Sequence, residues 1–422
     1  MTPTSENIRG TSALPYHLIK GSLSTTLHDR EGIDNSSNKE ENEKIEIEIY
    51  TFNNNNISDE KIVEVEKELQ VTIQKVPLPK WFLIVFRFHL LFIRLFLKYP
   101  LHHYVKLPQH FVDEIKTKHP DLIWVYGAEW SLVVNQFEGF QRIHTLPDSE
   151  ALYYYRMLGR RFVAWDWKKF WRCALMYPKF LALERNYSTD SSIHYHLVGE
   201  EDANFLRRMN PGIQAHFIRH PHYEVKSPTP SLPEGEGGFH SPTIKVLIAG
   251  RYDLYMKQEA DLLIKSLTPD PSPKERGIED FLQKHYSFTF LGKGWEKHVE
   301  ALRCAGYEVN HVTFAPDYIE EICRHDIQIT PIAIGTGTKG KVLDALANGL
   351  LVIGTPYAME NIAVQNGVSC IEYQQPQEVI EVLMDIPDNK EKYEAMARAG
   401  QEAVLKYHDR CLLSQELFSL TH

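Results

Sequence analysis

Cysteine is scarce in this sequence and shows no paired spacing. The 422 residues include only five cysteines, and no two of them form a Cys-x-x-Cys pair. Scattered thiols in odd number favour reduced cysteines in a cytosolic protein and argue against a disulfide framework. The same spacing gives no metal cage, so no metal site is expected. The five residues are Cys173, Cys304, Cys323, Cys370 and Cys411.

An excess of positive charge is also lacking. The chain has 46 Lys and Arg against 56 Asp and Glu, which gives a formal net charge of -10. Nucleic-acid binding needs a concentrated basic surface, so nucleic acid is not an expected partner, although a local basic patch stays open. The polar start "MTPTSENIRG" has no apolar stretch after basic residues, so no secretory signal is indicated. A cytoplasmic location is therefore expected.

No uninterrupted apolar run is long enough to cross a membrane. The nearest is "KWFLIVFRFHLLFIRLFLKYP", residues 80–100, which Arg87, His89, Arg94 and Lys98 interrupt. Central charges are costly in hydrocarbon, which argues against a membrane span. Arg87, Arg94 and Lys98 have helical spacing and predict a basic stripe beside apolar residues. Two interpretations stay open: a helix on an anionic membrane surface at the inner face of the cell membrane, and a helix packed on its own domain with its arginines in solvent.

Short strand and helix patterns alternate along the chain, as in an α/β protein. The length suits two domains. Strand patterns such as "KIEIEIYTF", "DLIWVYGA" and "TIKVLIAGRYD" predict two Rossmann-like domains with parallel sheets, residues 1–225 and 244–422. The Pro- and Gly-rich segments 226–243 and 267–277 predict a linker and an inserted exposed loop. One long helix is expected over 389–420.

The stretch "IAIGTGTKGKVLDALANG" matches two familiar patterns. Gly335, Gly337 and Gly340 form the dinucleotide pattern G-x-G-x-x-G, while Lys341 completes the start of a P-loop. Val342 stands where a P-loop needs Ser or Thr to hold Mg²⁺. The glycines also come late in their domain, whereas the dinucleotide pattern follows the first strand. Neither interpretation fits well.

The physical content shared by both patterns remains. A strand predicted to end at Ile334 leads into a Gly-rich turn, and a helix beginning near Lys339 directs its positive end at the same place. Lys341 and Asp344 lie one helical turn apart. A cation and an acid beside glycines suit a phosphate and a ribose diol, whereas a surface ion pair on a tight turn is the plainer alternative.

At this point a family resemblance can be stated. "PIAIGTGTKGKVLDALANGLLVIGT" resembles the donor-site segment of group 1 glycosyltransferases, the retaining, family 4-like enzymes with the GT-B fold. "VLIAGRYD", "YHLVGEEDANFLRRMNPGIQAHFIRHPHY" and "RIHTLPDSEALYYYR" are similar to other parts of that family. The resemblance runs from about residue 121 onward and is strongest over 244–366. It implies two Rossmann-like domains whose parallel sheets face a central cleft.

The resemblance implies a chemistry as well. A sugar would move, with retention, from a UDP- or GDP-sugar held by the second domain to a glycan or lipid-linked acceptor held by the first. The setting would be synthesis of bacterial cell-surface polysaccharide or glycolipid. No cofactor is implied, because the nucleotide sugar is a substrate, and the lack of any Asp-x-Asp agrees with metal independence. The alternatives are a non-catalytic GT-B protein that binds nucleotide sugar or a partner enzyme, and a nucleotide-sugar epimerase.

The resemblance also implies roles for single residues. Asp344 would bind the ribose hydroxyls, and Arg251 and Lys341 would neutralise the diphosphate, with Lys257 as a further basic contact. His144, expected after a strand of the first domain, would approach the transferred sugar. The remaining donor contacts would be Gly335, Thr336, Gly337, Thr338 and Glu360.

Two departures from the family pattern stand out. The family's E-x₇-E pair is incomplete, because Thr336 and Asp344 occupy its two positions. The first domain of the family opens with a strand and a Gly-rich loop, whereas "MTPTSENIRGTSALPYHLIKG" begins almost at the loop. The first strand is therefore expected to be missing or to be encoded upstream. A missing central strand would expose sheet edges.

Aromatic residues also cluster after the helix predicted from "SEALYYYR". Trp165, Trp167 and Trp171 follow at spacings of two and four. Packing is the favoured role for these tryptophans, and stacking on sugar rings is the alternative.

Overall fold

The protein divides into two compact units, described from a computed structural model. The first unit is Met1–Pro221 with Arg410–His422, and the second is His222–Asp409. The second domain was predicted to run to residue 422, whereas the segment from Arg410 onward lies in the first unit. The structure describes residues 1–5, 13–31, 46–163, 166–226, 243–268 and 273–421. The predicted linker lies almost wholly outside these residues.

Short strands and helices alternate in the first unit, as predicted. In chain order they are α1 (Ala13–Glu31), β1 (Glu48–Thr51), α2 (Asp59–Leu69), β2 (Thr72–Lys75), α3 (Lys80–Arg87), α4 (Gln109–Thr117), β3 (Ile123–Tyr126), α5 (Ser131–Asn135), β4 (Arg142–Thr145), α6 (Glu150–Val163), α7 (Trp167–Glu184), β5 (Ile193–Leu197), α8 (Glu200–Met209) and β6 (Ala215–Phe217). The strands form a parallel pair, β1-β2, and a parallel sheet of order β3-β4-β5-β6. Helical crossovers connect strands of this kind, which explains the alternation in sequence.

The second unit is built on one parallel sheet of order β12-β11-β10-β7-β8-β9. Its elements are β7 (Ile244–Ala249), α9 (Lys257–Leu267), α10 (Pro273–His285), β8 (Tyr286–Leu291), α11 (Glu296–Cys304), β9 (Glu308–Val312), α12 (Tyr318–Ile322), β10 (Ile327–Thr330), α13 (Gly340–Ala347), β11 (Leu351–Gly354), α14 (Pro356–Met359), β12 (Ile371–Glu372), α15 (Pro376–Asp385) and α16 (Lys390–Tyr407). The chain then returns to the first unit as α17 (Arg410–Phe418). The predicted α/β architecture with parallel sheets is confirmed.

Two helical boundaries differ from the predictions. The segment 267–277 was expected to be an exposed loop, but α10 begins at Pro273, where the missing N–H of proline costs no helical hydrogen bond. Residues 269–272 lie outside the described part of the chain. The helix expected over 389–420 is in fact two helices, α16 and α17, because the chain leaves the helical conformation at His408.

The helix α17 packs on α1 and completes an apolar cluster of the first unit. Leu14 and Leu18 of α1 contact Leu413 and Leu417 in a cluster with residues of the four-stranded sheet. The Ser414 hydroxyl donates a hydrogen bond to the Leu18 carbonyl, 2.7 Å away. This burial explains why the segment from Arg410 onward belongs to the first unit.

Gly21 is the point of closest approach between α1 and α17. A methyl group at this position would lie 2.2 Å from the Arg410 carbonyl oxygen and 2.4 Å from the Ser414 hydroxyl. Alanine normally stabilises a helix interior by about 0.5–1 kcal/mol over glycine. We expect Gly21→Ala to do the opposite and to lower the unfolding free energy of the first unit by about 1–3 kcal/mol through overpacking. Urea denaturation measures the change.

Gly159 supplies the matched control for this prediction. It lies inside α6, and a methyl group there would meet no atom within 4 Å. Gly159→Ala should therefore stabilise the protein slightly. If Gly21→Ala stabilised the protein as much as Gly159→Ala does, the close packing of α1 on α17 would be wrong.

Candidate donor site

Parallel strand order brings the predicted donor residues to one edge of the second sheet. Strand β10 pairs with β7 on one side and with β11 on the other. Arg251 follows the carboxyl end of β7, the Gly-rich turn follows that of β10, and Glu360 follows that of β11. In open α/β sheets this edge is where ligands bind. The sequence therefore places these three features correctly at one edge.

The Gly-rich turn starts earlier than predicted. Strand β10 ends at Thr330 and not at Ile334, because Pro331 has no N–H to donate to a sheet ladder. The chain runs on from there to α13, which begins at Gly340. Gly337 adopts a φ of 60°, a left-handed conformation that glycine adopts without strain. The turn is therefore longer than the pattern suggested.

Lys339 stabilises this turn through its side chain, a role that the sequence interpretation did not predict. Its ammonium donates hydrogen bonds to the carbonyl oxygens of Thr336, at 3.1 Å, and Gly337, at 2.7 Å. It also pairs with the Glu360 carboxylate at 3.4 Å, and both side chains are largely buried. A side chain at Gly335 would meet the Lys339 Cε at 2.9 Å. Lys339 thus ties the turn after β10 to the loop after β11.

The helix α13 carries the predicted cation and acid. Val342, Leu343 and Leu346 are buried, as predicted, and the Asp344 carboxyl is also buried, with 6% of its surface exposed. Burial raises the pKa of Asp344 to about 7, and the nearby Lys341 acts in the opposite direction. An acid held at this pKa in a buried position is a candidate functional group.

Lys341 extends from α13 toward the end of β7. Its ammonium lies 3.7 Å from the point where a methyl group on Gly250 would be. The residue as a whole is exposed, yet burial around its ammonium lowers its pKa, against the attraction of Asp253 and Asp344. The structure therefore joins Lys341, Asp344 and the backbone that precedes Arg251 in one place.

Tyr318 of α12 is a second residue that sequence reasoning missed. Its ring lies 5.9 Å from the Lys341 ammonium. Its hydroxyl is buried without a hydrogen-bond partner in the described part of the chain, and burial followed by the charge of Asp344 raises its pKa. An unpaired buried hydroxyl costs about 1–3 kcal/mol, which a ligand with an acceptor atom could recover.

Gln328 of β10 shows the same feature beneath α13. Its amide nitrogen donates to the Lys341 carbonyl at 3.2 Å and to the Thr330 hydroxyl at 3.1 Å. Its amide oxygen is buried without a partner among the described residues. The strand below Lys341 is thus polar where the neighbouring strands are apolar.

The other predicted donor residues differ in how well the structure supports them. Arg251 is exposed and follows Gly250, whose φ of 140° turns the chain at the end of β7. Lys257 is exposed at the first residue of α9, and no contact in the described part of the chain joins it to Lys341 or Asp344. The turn residues Gly335 and Gly337 are buried, whereas Thr336 and Thr338 are half-buried. These donor roles stay predictions.

His144 does not occupy the position expected for a sugar-contacting residue. It lies within β4 and not after it, and none of its surface is exposed. Its Nε2 is 2.9 Å from the Gly127 carbonyl oxygen, and its ring lies against Tyr187 and Tyr195. Burial lowers its pKa to about 4. The histidine is a core residue here, because the strand extends one residue beyond it to Thr145.

Among the described ranges, no group of three or more His, Cys, Asp or Glu side chains is arranged to hold a metal ion. No helix in the described part of the molecule has the length and apolar character needed to cross a membrane. Metal independence stays a prediction.

Comparison with known proteins identifies the fold. Residues 275–411 match a family model described as glycosyl transferase-like, and no curated protein sequence matches the chain. Anabaena HepE, solved in complex with UDP, is similar over 99% of this chain and 97% of its own, with a TM-score of 0.57 and 11% identity. The chain has the GT-B glycosyltransferase fold. The predicted GT-B fold and the resemblance to GT-B glycosyltransferases are confirmed.

Two other solved GT-B structures are similar. The match to a glycosyltransferase from Rickettsia africae covers 96% of this chain and 93% of the Rickettsia chain, with a TM-score of 0.56 and 11% sequence identity. Sucrose-phosphate synthase from Thermosynechococcus elongatus covers 74% of this chain and 76% of its own, with a TM-score of 0.52 and 14% identity. At such low identity the likeness establishes the GT-B fold and leaves the substrate to be argued from the site.

Proposed function

We propose that this protein is a retaining, metal-independent hexosyltransferase that takes a sugar from a UDP- or GDP-sugar. The acceptor is a glycan or a lipid-linked sugar, and the product enters bacterial cell-surface polysaccharide or glycolipid synthesis. The observation that carries the proposal is the grouping of Lys341, Asp344 and the Gly-rich turn at the start of α13. The solved Anabaena complexes with UDP and with UDP-glucose favour UDP as the nucleotide of the donor.

The donor contacts follow from this grouping. Asp344 accepts hydrogen bonds from the ribose hydroxyls, and the diphosphate lies against the Gly-rich turn and the positive end of α13. Lys341 and Arg251 neutralise the diphosphate as it leaves, which lowers the barrier because charge develops there in the transition state. Glu360, which pairs with Lys339, accepts hydrogen bonds from sugar hydroxyls in this proposal.

The transfer step balances without a cofactor. The acceptor hydroxyl oxygen forms a bond to the anomeric carbon on the face from which the diphosphate oxygen departs. The bond between that carbon and the diphosphate breaks with its electron pair staying on the diphosphate, and the hydroxyl proton goes to the same leaving group. The protein supplies charge and orientation for this step.

A specific observation favours a second candidate function, a GT-B protein that binds nucleotide sugar without transferring it. His144, expected to face the sugar, is buried in the first unit, and the family's acid pair is incomplete at Thr336. Such a protein would keep donor binding through Asp344 and lose turnover.

A donor panel separates these functions. Purified protein is heated with UDP- and GDP-sugars, and hydrolysis and transfer are followed by chromatography with and without a metal chelator. A donor at 100 times its dissociation constant should add about 2.7 kcal/mol of stability. We expect one donor to stabilise the protein and to be consumed by it. The anomeric carbon of the product should have the same configuration as that of the donor. Stabilisation without turnover on any acceptor would favour the binding protein, and no stabilisation by any donor would overturn both.

A further inference from the structure

The first unit exposes an aromatic and basic surface along residues 80–98. The segment was expected to be one helix, but α3 ends at Arg87, His89 takes a left-handed φ of 52°, and a 3₁₀ helix follows over Leu91–Leu95. The break removes the predicted single stripe. It leaves large apolar side chains in solvent, with Phe96 exposed over 83% of its surface. These side chains are Trp81, Leu83, Ile84, Phe88, Phe92, Leu95 and Phe96.

These exposed side chains are not the side of the segment that packs on the core of the first unit. The same segment already supplies a core face, through the buried Phe82 and Val85 and through Leu90, Ile93 and Leu97. The exposed face also carries basic residues and no acidic ones. The segment therefore packs on its own domain, as one of the two interpretations has it, and it exposes large apolar side chains as well as Arg87.

The helices α6 and α7 expose further aromatic side chains of the first unit, namely Tyr155, Phe162, Trp167 and Trp171. Trp167 and Trp171 pack against the Phe170 ring, as the favoured packing role predicts, while part of each stays exposed. Lys179 of α7 donates a hydrogen bond to the Leu97 carbonyl, which joins α7 to the 80–98 segment. We call the two exposed faces together the aromatic-basic surface.

A cavity of about 270 Å³ lies between α6, α7 and the 3₁₀ helix Leu91–Leu95. Its lining carries both basic and acidic side chains. Arg94 and Arg172 both line it, and burial followed by the charge of Arg172 lowers the pKa of Arg94. The charged lining residues are Arg94, Arg172, Lys179, Glu129 and Glu150.

Charge and hydrogen bonding assign a ligand class to this cavity. An anion between Arg94 and Arg172 would relieve their repulsion, and guanidinium groups match phosphate oxygens in geometry. Glu129 and Glu150 can exchange hydrogen bonds with sugar hydroxyls. The volume suits one sugar ring with a phosphate. Since the surrounding surface is aromatic and basic, the alkyl part of such a ligand has an anionic membrane to reside in.

We propose that this cavity binds the phosphate-linked sugar headgroup of a membrane lipid while the aromatic-basic surface rests on the anionic bilayer. The proposal rests on the proposed function only in that this lipid is the acceptor. Binding of the lipid itself needs no donor.

Membrane docking is tested by flotation of the full chain with vesicles of phosphatidylcholine alone or mixed with phosphatidylglycerol. We expect binding to the mixed vesicles that weakens with salt. Phe88→Ser, Phe92→Ser and Phe96→Ser together should reduce it roughly 10-fold or more, because three exposed rings no longer enter the interface. Phe314→Ser is the control, since Phe314 is 75% exposed but lies in the second unit. Equal binding by the triple variant and the wild type would overturn the docking surface.

The headgroup cavity is tested with octyl glycosyl phosphates of glucose, galactose and N-acetylglucosamine against the matching neutral octyl glycosides. Calorimetry should show about 10-fold tighter binding of at least one phosphate probe, a preference that Arg172→Ala removes. Lys168→Ala, exposed on the same helix but away from the cavity, should keep the preference. Inorganic phosphate should compete only weakly, and competition as strong as that of the glycosyl phosphate would reject a lipid headgroup in favour of free phosphate.

The outcomes separate this proposal from the proposed function. If the phosphate and neutral probes bound alike, the cavity proposal would be wrong even if a donor stabilised the protein. If no donor stabilised the protein while Arg172→Ala still removed the phosphate preference, the transferase function would fail and the lipid site would stand.

Discussion

Asp344→Asn is expected to weaken nucleotide-sugar binding about 100-fold while stabilising the donor-free protein at alkaline pH. Loss of a charged acceptor for two ribose hydroxyls, together with the unpaired groups it leaves, costs about 3 kcal/mol. The amide keeps the shape of the acid, so the fold around α13 is preserved. Calorimetric titration with the donor identified in the panel measures the affinity.

The stability effect follows from the direction of the pKa shift. Burial raises the folded-state pKa of Asp344 from 3.8 to about 7. Because the folded protein binds this proton more tightly than the unfolded chain does, protonation of Asp344 adds to the unfolding free energy. The full contribution is present below about pH 4 and is lost as the pH rises from about 4 to about 7. One pKa unit corresponds to about 1.4 kcal/mol, so the advantage of Asp344→Asn over wild type should grow by roughly 3 kcal/mol between pH 5 and pH 8. Urea denaturation at both pH values measures it.

Asp326 provides the matched control for Asp344. Burial raises its pKa to about 6, but it precedes β10 and accepts a hydrogen bond from the Lys245 amide at the opposite end of that strand. Asp326→Asn should share the pH-dependent stabilisation and leave donor affinity unchanged. Unchanged donor affinity in Asp344→Asn would remove Asp344 from the donor site.

Trp295→Ala is expected to lower the unfolding free energy of the second unit by about 3–5 kcal/mol. The Trp295 side chain has no exposed surface and packs against Phe290 and Tyr252. Its indole N–H donates a 2.7 Å hydrogen bond to the Gly250 carbonyl. Removal therefore leaves both a cavity and an unpaired carbonyl beneath the end of β7. Urea denaturation followed by circular dichroism reports the loss.

Trp295→Ala should also disturb the backbone at Gly250, next to the candidate donor residue Arg251. The Gly250 carbonyl is tightly enclosed, because a side chain at Gly292 would meet it at 2.3 Å. Trp295→Phe is the control: it keeps most of the apolar volume and loses the hydrogen bond, with an expected cost of about 1–2 kcal/mol. If Trp295→Ala cost no more than Trp295→Phe, the packing described beneath Gly250 would be incorrect.

The sequence predicted the strand, turn and helix that carry Lys341 and Asp344 because its signals there are local. A buried strand, glycines and a helix with an apolar stripe identify a strand-turn-helix unit without knowledge of its neighbours. Asp344 and Lys341 were found in this way. Tyr318 was missed because it reaches the same place from α12, and Lys339 was missed because its role depends on Glu360, 21 residues later.

Other errors share a tertiary cause. The burial of His144 depends on where β4 ends, and element boundaries are the least secure part of any sequence interpretation. The return of α17 to the first unit depends on contacts with α1 that lie nearly 400 residues away in sequence. The break at His89 lies between basic residues with helical spacing, and this spacing gives no sign that the chain takes a left-handed turn there.

The pairing of α1 with α17 also sets an order of events on the ribosome. Synthesis proceeds from the amino end, and domains usually fold as they emerge. Here the apolar face of α1, with Leu14 and Leu18, has to wait for α17. The second unit is continuous in sequence and emerges complete before α17 does. The later-made unit is thus the first that can finish folding, while the nascent first unit keeps this apolar face uncovered until α17 is available.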